Sequence, residues 1–167
     1  MTVMYANALY KRGFVKEGYK ALQTLADTAL NFNTSKIYPG IPEYFNSEGR
    51  GMYHYLTGAA SWYMMTMITE VFGVHGETGN LTVCPKLMKE QFDEEGKAAI
   101  GLTFGNRKFE VTYHNEQHLE YGDYRIVQAE CDGVPMIYTD CEAIMEKVAV
   151  EALGEGVHRI EVLLEKI

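Results

Sequence analysis

Thr57-Gly-Ala-Ala-Ser-Trp-Tyr-Met-Met-Thr-Met-Ile-Thr-Glu-Val-Phe-Gly-Val-His-Gly-Glu-Thr-Gly-Asn-Leu-Thr-Val-Cys84 decides the fold class, because the spacing of its apolar residues changes partway along. Ala59, Ala60, Trp62, Tyr63, Met64, Met65, Met67, Ile68, Val71 and Phe72 leave almost no polar face. Thr57 is a residue type that caps the first amides of a helix, and Gly73 is a type that ends one. The pattern predicts a helix over 58–72 that needs other helices around most of it. Beyond Gly76 the apolar runs shorten and alternate, starting at 81–84, which is the two-residue period of a strand. The chain therefore reads as α+β, with one part at 1–76 and a second at 77–167.

Outward from this point the two halves keep their character. Val15, Tyr19, Leu22, Leu25, Ala26, Ala29 and Leu30 follow a 3.6-residue period and predict a helix over 14–30 with one buried stripe. A shorter helix over 2–11 precedes it, and Gly13 separates the two. Over 31–55 the period disappears into Pro, Gly, Asn, Ser and Tyr, as in a long ordered loop; Tyr38, Tyr44, Phe45, Tyr53 and Tyr55 argue against disorder. On the other side, strands are expected at 98–104, 108–113, 124–130 and 158–164. The turn pairs Gly105-Asn106 and Asp132-Gly133 among them suggest an antiparallel β-sandwich. The run 143–153 reads equally as a short helix or as another strand. There is no internal repeat.

Composition narrows the function. With 167 residues, 47% of them hydrophobic, the chain can build a real core. Its net charge of −8, from 15 Lys and Arg against 23 Asp and Glu, opposes binding to nucleic acid or an anionic membrane. The longest apolar stretch, 59–68, is too short and mixed to span a bilayer, and no signal-peptide pattern opens the chain, so a cytoplasmic location is expected. Cys84, Cys131 and Cys141 form no CxxC pair and are read as reduced and inert. Met64, Met65 and Met67 read as core filling, the acidic run 90–95 as a solvated turn, and His75, His114, His118 and His158 lack metal-ligand spacing. No metal or cofactor is expected.

The stretch Tyr38-Pro-Gly-Ile-Pro-Glu-Tyr-Phe-Asn-Ser-Glu-Gly-Arg-Gly-Met-Tyr-His-Tyr-Leu-Thr-Gly-Ala-Ala-Ser-Trp62, followed by Thr69-Glu-Val-Phe-Gly-Val74, resembles glycoside hydrolase family 94. Leu56-Thr57-Gly58 leading into Trp62 is its strongest element; Gly79-Asn-Leu-Thr-Val-Cys-Pro-Lys-Leu87 and His158-Arg-Ile-Glu-Val162 extend it over essentially the whole chain. The family includes cellobiose, laminaribiose, chitobiose and β-1,2-oligoglucan phosphorylases and the phosphorylase-like ends of cyclic β-1,2-glucan synthases. The resemblance implies that 1–76 supplies the last helices and loop of a catalytic (α/α)6 barrel and 77–167 a C-terminal β-sandwich that braces it. It further implies that inorganic phosphate, as co-substrate, attacks the anomeric carbon of a β-linked gluco-oligosaccharide, giving an α-sugar 1-phosphate with inversion. The Asp that protonates the leaving oxygen would lie upstream of Met1. The chain alone would then be inactive and would need the missing barrel segment or a second chain.

Individual residues fit this chemistry to different degrees. A helix start at Thr57-Gly58 offers unpaired amides and the positive end of the helix dipole, and the Thr hydroxyl adds a donor. From spacing alone the pair is as readily a plain cap, and the resemblance is what makes it a phosphate site, with the amides of Gly58 and Ala59 expected to be free of protein acceptors. Arg50 and His54 either contact phosphate or a sugar hydroxyl, or are a surface arginine and a structural histidine. Glu43, Tyr44 and Asn46 stand where sugar-binding residues are expected, a carboxylate accepting hydroxyl hydrogen bonds and a Tyr ring covering a pyranose face; Glu43 equally suits a loop-structuring role. A lone carboxylate makes a poor general acid, and phosphate replaces the water and its base, so no catalytic residue is assigned within the chain. A homo-oligomer is expected from the apolar helix at 58–72. The competing reading is a stand-alone carbohydrate-binding or scaffold module in which the strands carry the function.

Overall fold

The computed structural model describes residues 1–37, 40–53 and 57–167, which divide into two units, Met1–Met67 and Ile68–Ile167. The division falls earlier than the change of period suggested, because the segment after Met67 is already tied to the second unit, with Lys86 N–H donating to Val71 O and Cys84 N–H to Gly73 O. Helices and strands both contribute substantially, so the fold is α+β.

The first unit contains α1 (Thr2–Lys11), α2 (Val15–Leu30), the single turn α3 (Phe32–Ser35), the two-residue strands β1 (Tyr44–Phe45) and β2 (Gly51–Met52), and α4 (Gly58–Thr66). α1 packs against both α2 and α4. Tyr10 is fully buried at the centre, and α2 comes so close to it that a Cβ on Gly18 would lie 2.6 Å from Tyr10 Cδ2. Glycine is needed there for space. α2 buries Val15, Leu22 and Ala29 along the expected stripe, whereas Leu30 at its end is 65% exposed. Asn7 Nδ2 donates to Thr66 Oγ1 at 3.2 Å in the interior, tying α1 to α4.

α4 departs from expectation in two ways. It ends at Thr66, and Met67–Val71 continues as a π-helical turn. Thr66 is also the one α4 residue that is buried, while Met64 and Met65 stand 61% and 45% exposed. The methionines read as core filling are therefore outside the core of this unit. The apolar face is present, and the surrounding helices it calls for are not among the described residues.

The second unit contains β3 (Val74–Glu77), β4 (Asn80–Val83), β5 (Lys97–Phe104), β6 (Arg107–His114), β7 (Tyr124–Cys131), β8 (Val134–Pro135), β9 (Ile137–Tyr138), β10 (Ala143–Met145), α5 (Lys147–Ala152) and β11 (Val157–Lys166). The ambiguous run 143–153 is thus both strand and helix. Two sheets form, in the orders β3-β4-β10-β9 and β5-β6-β11-β7-β8. β8 leads directly into β9. Met136 N–H donates to Ala129 O at 2.9 Å and Ile126 N–H to Asp140 O at 2.8 Å, so the 134–140 segment follows β7 while β9 joins β10.

The expectation of a purely antiparallel arrangement is overturned by β11, which runs parallel to β6 and antiparallel to β7. Hairpin signals report pairs joined by a short turn, and β11 instead enters between two strands laid down long before it. Alternation along these strands turns Phe109, Val111, Tyr113, Ile160, Val162 and Leu164 into the core. Each such side chain contributes about 1.5–3 kcal/mol relative to exposure. Gly73, at φ +68, closes the π-helical segment; a Cβ there would lie 1.7 Å from Cys84 O, so only glycine fits where Cys84 N–H bonds back to Gly73 O at 3.0 Å.

Candidate functional site

Thr57 caps α4. Its backbone is extended (φ −74, ψ 132), and its Oγ1 accepts from Ala60 N–H at 3.2 Å while donating to Ile41 O at 2.7 Å. The hydroxyl therefore holds both the helix start and the incoming loop and is largely buried, and because its one proton goes to Ile41 O, the expectation that it adds a donor for phosphate fails here. The expectation that the amides after Thr57 are free fails at Ala59, whose N–H donates to Glu43 Oε2 at 3.3 Å. The physical reason is the one that favours any anion here: unpaired amides and the positive helix end attract a carboxylate, and the loop supplies one. At 3.3 Å and in an exposed setting this bond is weak enough to exchange. A Cβ on Gly58 would meet nothing nearer than Glu43 Oε2, at 3.8 Å, so glycine leaves open space at the helix start.

The loop that delivers Glu43 is a short hairpin. β1 and β2 pair Tyr44 with Met52 and Phe45 with Gly51, and Glu43 N–H extends the ladder by donating to Tyr53 O at 3.0 Å. The turn is held by Asn46, whose Oδ1 accepts from the N–H groups of Glu48 and Arg50 at 3.0 and 2.9 Å. Asn46 thus structures the turn, and Arg50, an exposed residue, closes it. The structure therefore brings Glu43, Thr57 and Gly58 together at the start of α4, with Tyr44 beside Glu43, whereas Asn46 and Arg50 sit at the turn end of the hairpin. His54 lies outside the described residues. Glu43, Tyr44, Phe45, Pro42 and Ala59 line a cleft of about 500 Å³ shared with Met1, Thr2, Val3 and Leu25. Tyr53, which the sequence offered only as a sign of order, has a left-handed backbone (φ +53) and sets its ring 5.9 Å from that of Tyr44.

The second unit has a polar pair that residue spacing did not disclose. His158, with a ring only 10% exposed, places Nδ1 2.7 Å from Asp132 Oδ2 and Nε2 3.2 Å from Gly154 O. Asp132 Oδ1 also accepts from Arg159 N–H at 2.9 Å. The hydrogen bond to Asp132, and then that to Gly154, raise the imidazole above its ordinary value; the bonds from Arg159 N–H and then from His158 lower the Asp132 carboxyl. Both ring nitrogens face acceptors, so the pair serves to fasten the β7–β8 turn to β11 and leaves no nitrogen for a substrate. His114 is similarly engaged, 2.6 Å from Glu161. Among the described residues no group of three or more His, Cys, Asp or Glu is placed to hold a metal ion, and no helix is long and apolar enough to cross a membrane.

The outward faces of β5, β6 and β11 in the five-stranded sheet carry Lys97, Ala99, Gly101 and Thr103 on β5, Lys108, Glu110, Thr112 and His114 on β6, and Arg159, Glu161 and Leu163 on β11. None is Trp, Tyr or Phe, so these three strands offer no aromatic platform for a sugar there. An apolar cleft of about 340 Å³ lies elsewhere in the unit, between Met136, Ile144, Met145, Ala149 and Leu153. Against known proteins, the chain matches no family model and has no significant match among curated sequences.

Proposed function

We propose that the chain is the C-terminal part of an inverting phosphorylase, which cleaves a β-glucosidic bond with inorganic phosphate to give an α-sugar 1-phosphate. In this reading 1–76 corresponds to the last helices and loop of an (α/α)6 barrel, and 77–167 to a C-terminal β-sandwich. The observation that carries the reading is the start of α4, where an oxyanion, the Glu43 carboxylate, already sits on the Ala59 amide beside the cap Thr57. Phosphate, with more charge and more oxygens, would displace that carboxylate, and Glu43 would turn to the sugar hydroxyls. The general acid, by the family 94 resemblance, belongs to a barrel segment outside this chain. The exposed apolar side of α4, with Met64 and Met65, suits a helix meant to be covered by the rest of such a barrel. The competing carbohydrate-module reading requires a platform on the strands; the outward faces of β5, β6 and β11 carry no Trp, Tyr or Phe, and Tyr138 on β9 is the exposed ring that reading would use.

The experiment supplies the missing barrel segments on a second chain and compares phosphorolysis by wild type, Thr57→Ala and Thr57→Val. Loss of the cap alone costs about 1 kcal/mol of stability. Thr57 contacts phosphate only if its proton turns from Ile41 O to the bound anion; loss of that transition-state contact lowers phosphate-dependent turnover by about tenfold for each 1.4 kcal/mol, and that larger effect on turnover is the expected result. Variants that lose stability yet keep full turnover would show that Thr57 is a cap and nothing more.

A further inference from the structure

The geometry points to Tyr53, paired with Tyr44, as a clamp for one pyranose ring of the β-glucoside, a specificity-determining contact next to Glu43. This rests on the phosphorylase reading and adds to it a residue outside the helix terminus. The β1–β2 register, continued by one pair, sets Tyr53 opposite Glu43, and directly opposed residues of an antiparallel ladder share a face. A regular strand would therefore put the rings of Tyr44 and Tyr53 on opposite faces. They are instead 5.9 Å apart and tilted by 41°, and Tyr53 is the residue with φ +53. The left-handed backbone re-aims the Tyr53 ring toward Tyr44.

That conformation is uncommon and strained for a bulky side chain. Packing does not compensate for it: Tyr53 is 73% exposed and Tyr44 49%. Two rings held together by backbone strain and left in water suit a ligand that has both apolar and hydroxylated surface. A β-linked glucosyl ring has C–H faces for the aromatic surfaces and equatorial hydroxyls for the phenolic tips and for Glu43. Tyr44 and Glu43 line a cleft of about 500 Å³, within the usual size of small-ligand sites; Tyr53 is not part of its wall and reaches it only through its ring contact with Tyr44.

The test titrates the full chain with cellotetraose, laminaritetraose and sophorose, with maltotetraose as the α-linked control, following the NMR signals of Tyr44 and Tyr53. Wild type is expected to bind at least one β-linked probe saturably and the control poorly. Tyr53→Gly fits the left-handed backbone, so it should keep or raise the unfolding midpoint while weakening binding by about tenfold or more; Tyr53→Phe should retain most of the affinity. Equal binding by Tyr53→Gly and wild type, or no binding of any β-linked probe by wild type, overturns the clamp. Inorganic phosphate is titrated separately against the Gly58 and Ala59 amides. With the barrel segments supplied on a second chain, Tyr53-dependent sugar binding with no phosphate response supports the clamp and overturns the phosphorylase reading alone, whereas a phosphate response with sugar binding indifferent to Tyr53 overturns the clamp alone.

Discussion

His158 shows how one side chain can fasten several segments at once. Its ring joins the β7–β8 turn through Asp132 and the α5–β11 connection through the Gly154 carbonyl, and only the charged form can donate from both nitrogens. Burial and, less strongly, the positive charge of Arg107 oppose this protonation, and the hydrogen bonds outweigh them. A histidine raised above its ordinary value of 6.5 contributes stability that is complete below that pH and is lost as pH rises through the higher folded value. Asp132, lowered below 3.8, contributes stability that is complete above that pH and is lost as pH falls through its folded value. The clamp is fully effective between the two. The stability difference between wild type and His158→Gln should therefore be larger at about pH 6 than at about pH 9 in urea titrations. A difference independent of pH would mean that the ring is neutral and acts by packing alone. None of this was legible in the sequence, where Asp132 read as half of a turn pair and His158 as a histidine without ligand spacing. The pairing joins residues 26 apart in the chain.

At the scale of elements, the connection from α4 into the strands depends on Gly73. Gly73→Ala adds a Cβ 1.7 Å from the Cys84 carbonyl at a residue with φ +68, and neither backbone can yield without breaking the bond between them. A loss of about 3 kcal/mol in chemical denaturation is expected. Gly154→Ala, with open space around it, should stay within about 0.5 kcal/mol. Comparable midpoints for the two variants would show that the segment shifts freely. The sequence disclosed this glycine as a helix stop, and the structure shows that the helix has already become a π-helical turn. Most elements were legible for a simple reason: α1 matches its predicted range, and the longer strands lie within a residue or two of theirs, because periodicity records which face is buried. It does not record partners. β11 was legible as a strand but not as parallel to β6, and Glu43 as a polar loop residue but not as the acceptor for Ala59, 16 positions away. Tyr53 was hidden because its left-handed backbone falls on a residue type that rarely marks one.

For the molecule as a whole, exposed large apolar side chains occur in both units, and several of those in the first lie on its helices. Met64, Met65, Tyr5, Phe14 and Leu30 are all at least 45% exposed. Where such side chains form one contiguous patch, a partner usually covers it. Sedimentation velocity from about 1 to 100 μM should show dimers or larger species, shifted toward monomer by Met64→Lys together with Met65→Glu. A monomer throughout that range, or assembly indifferent to these changes, would place the association elsewhere or rule it out. The topology of the second unit has a consequence in time. β6 and β7 are neighbours of β11 and not of each other, so the middle of the five-stranded sheet stays open until β11 has been synthesised. While a ribosome is still making the 26 residues between Cys131 and His158, β6 and β7 each present an unpaired edge. The sheet must therefore assemble late, around its own most recently made strand, and the nascent chain is most vulnerable to pairing with a neighbour just before it becomes able to finish itself.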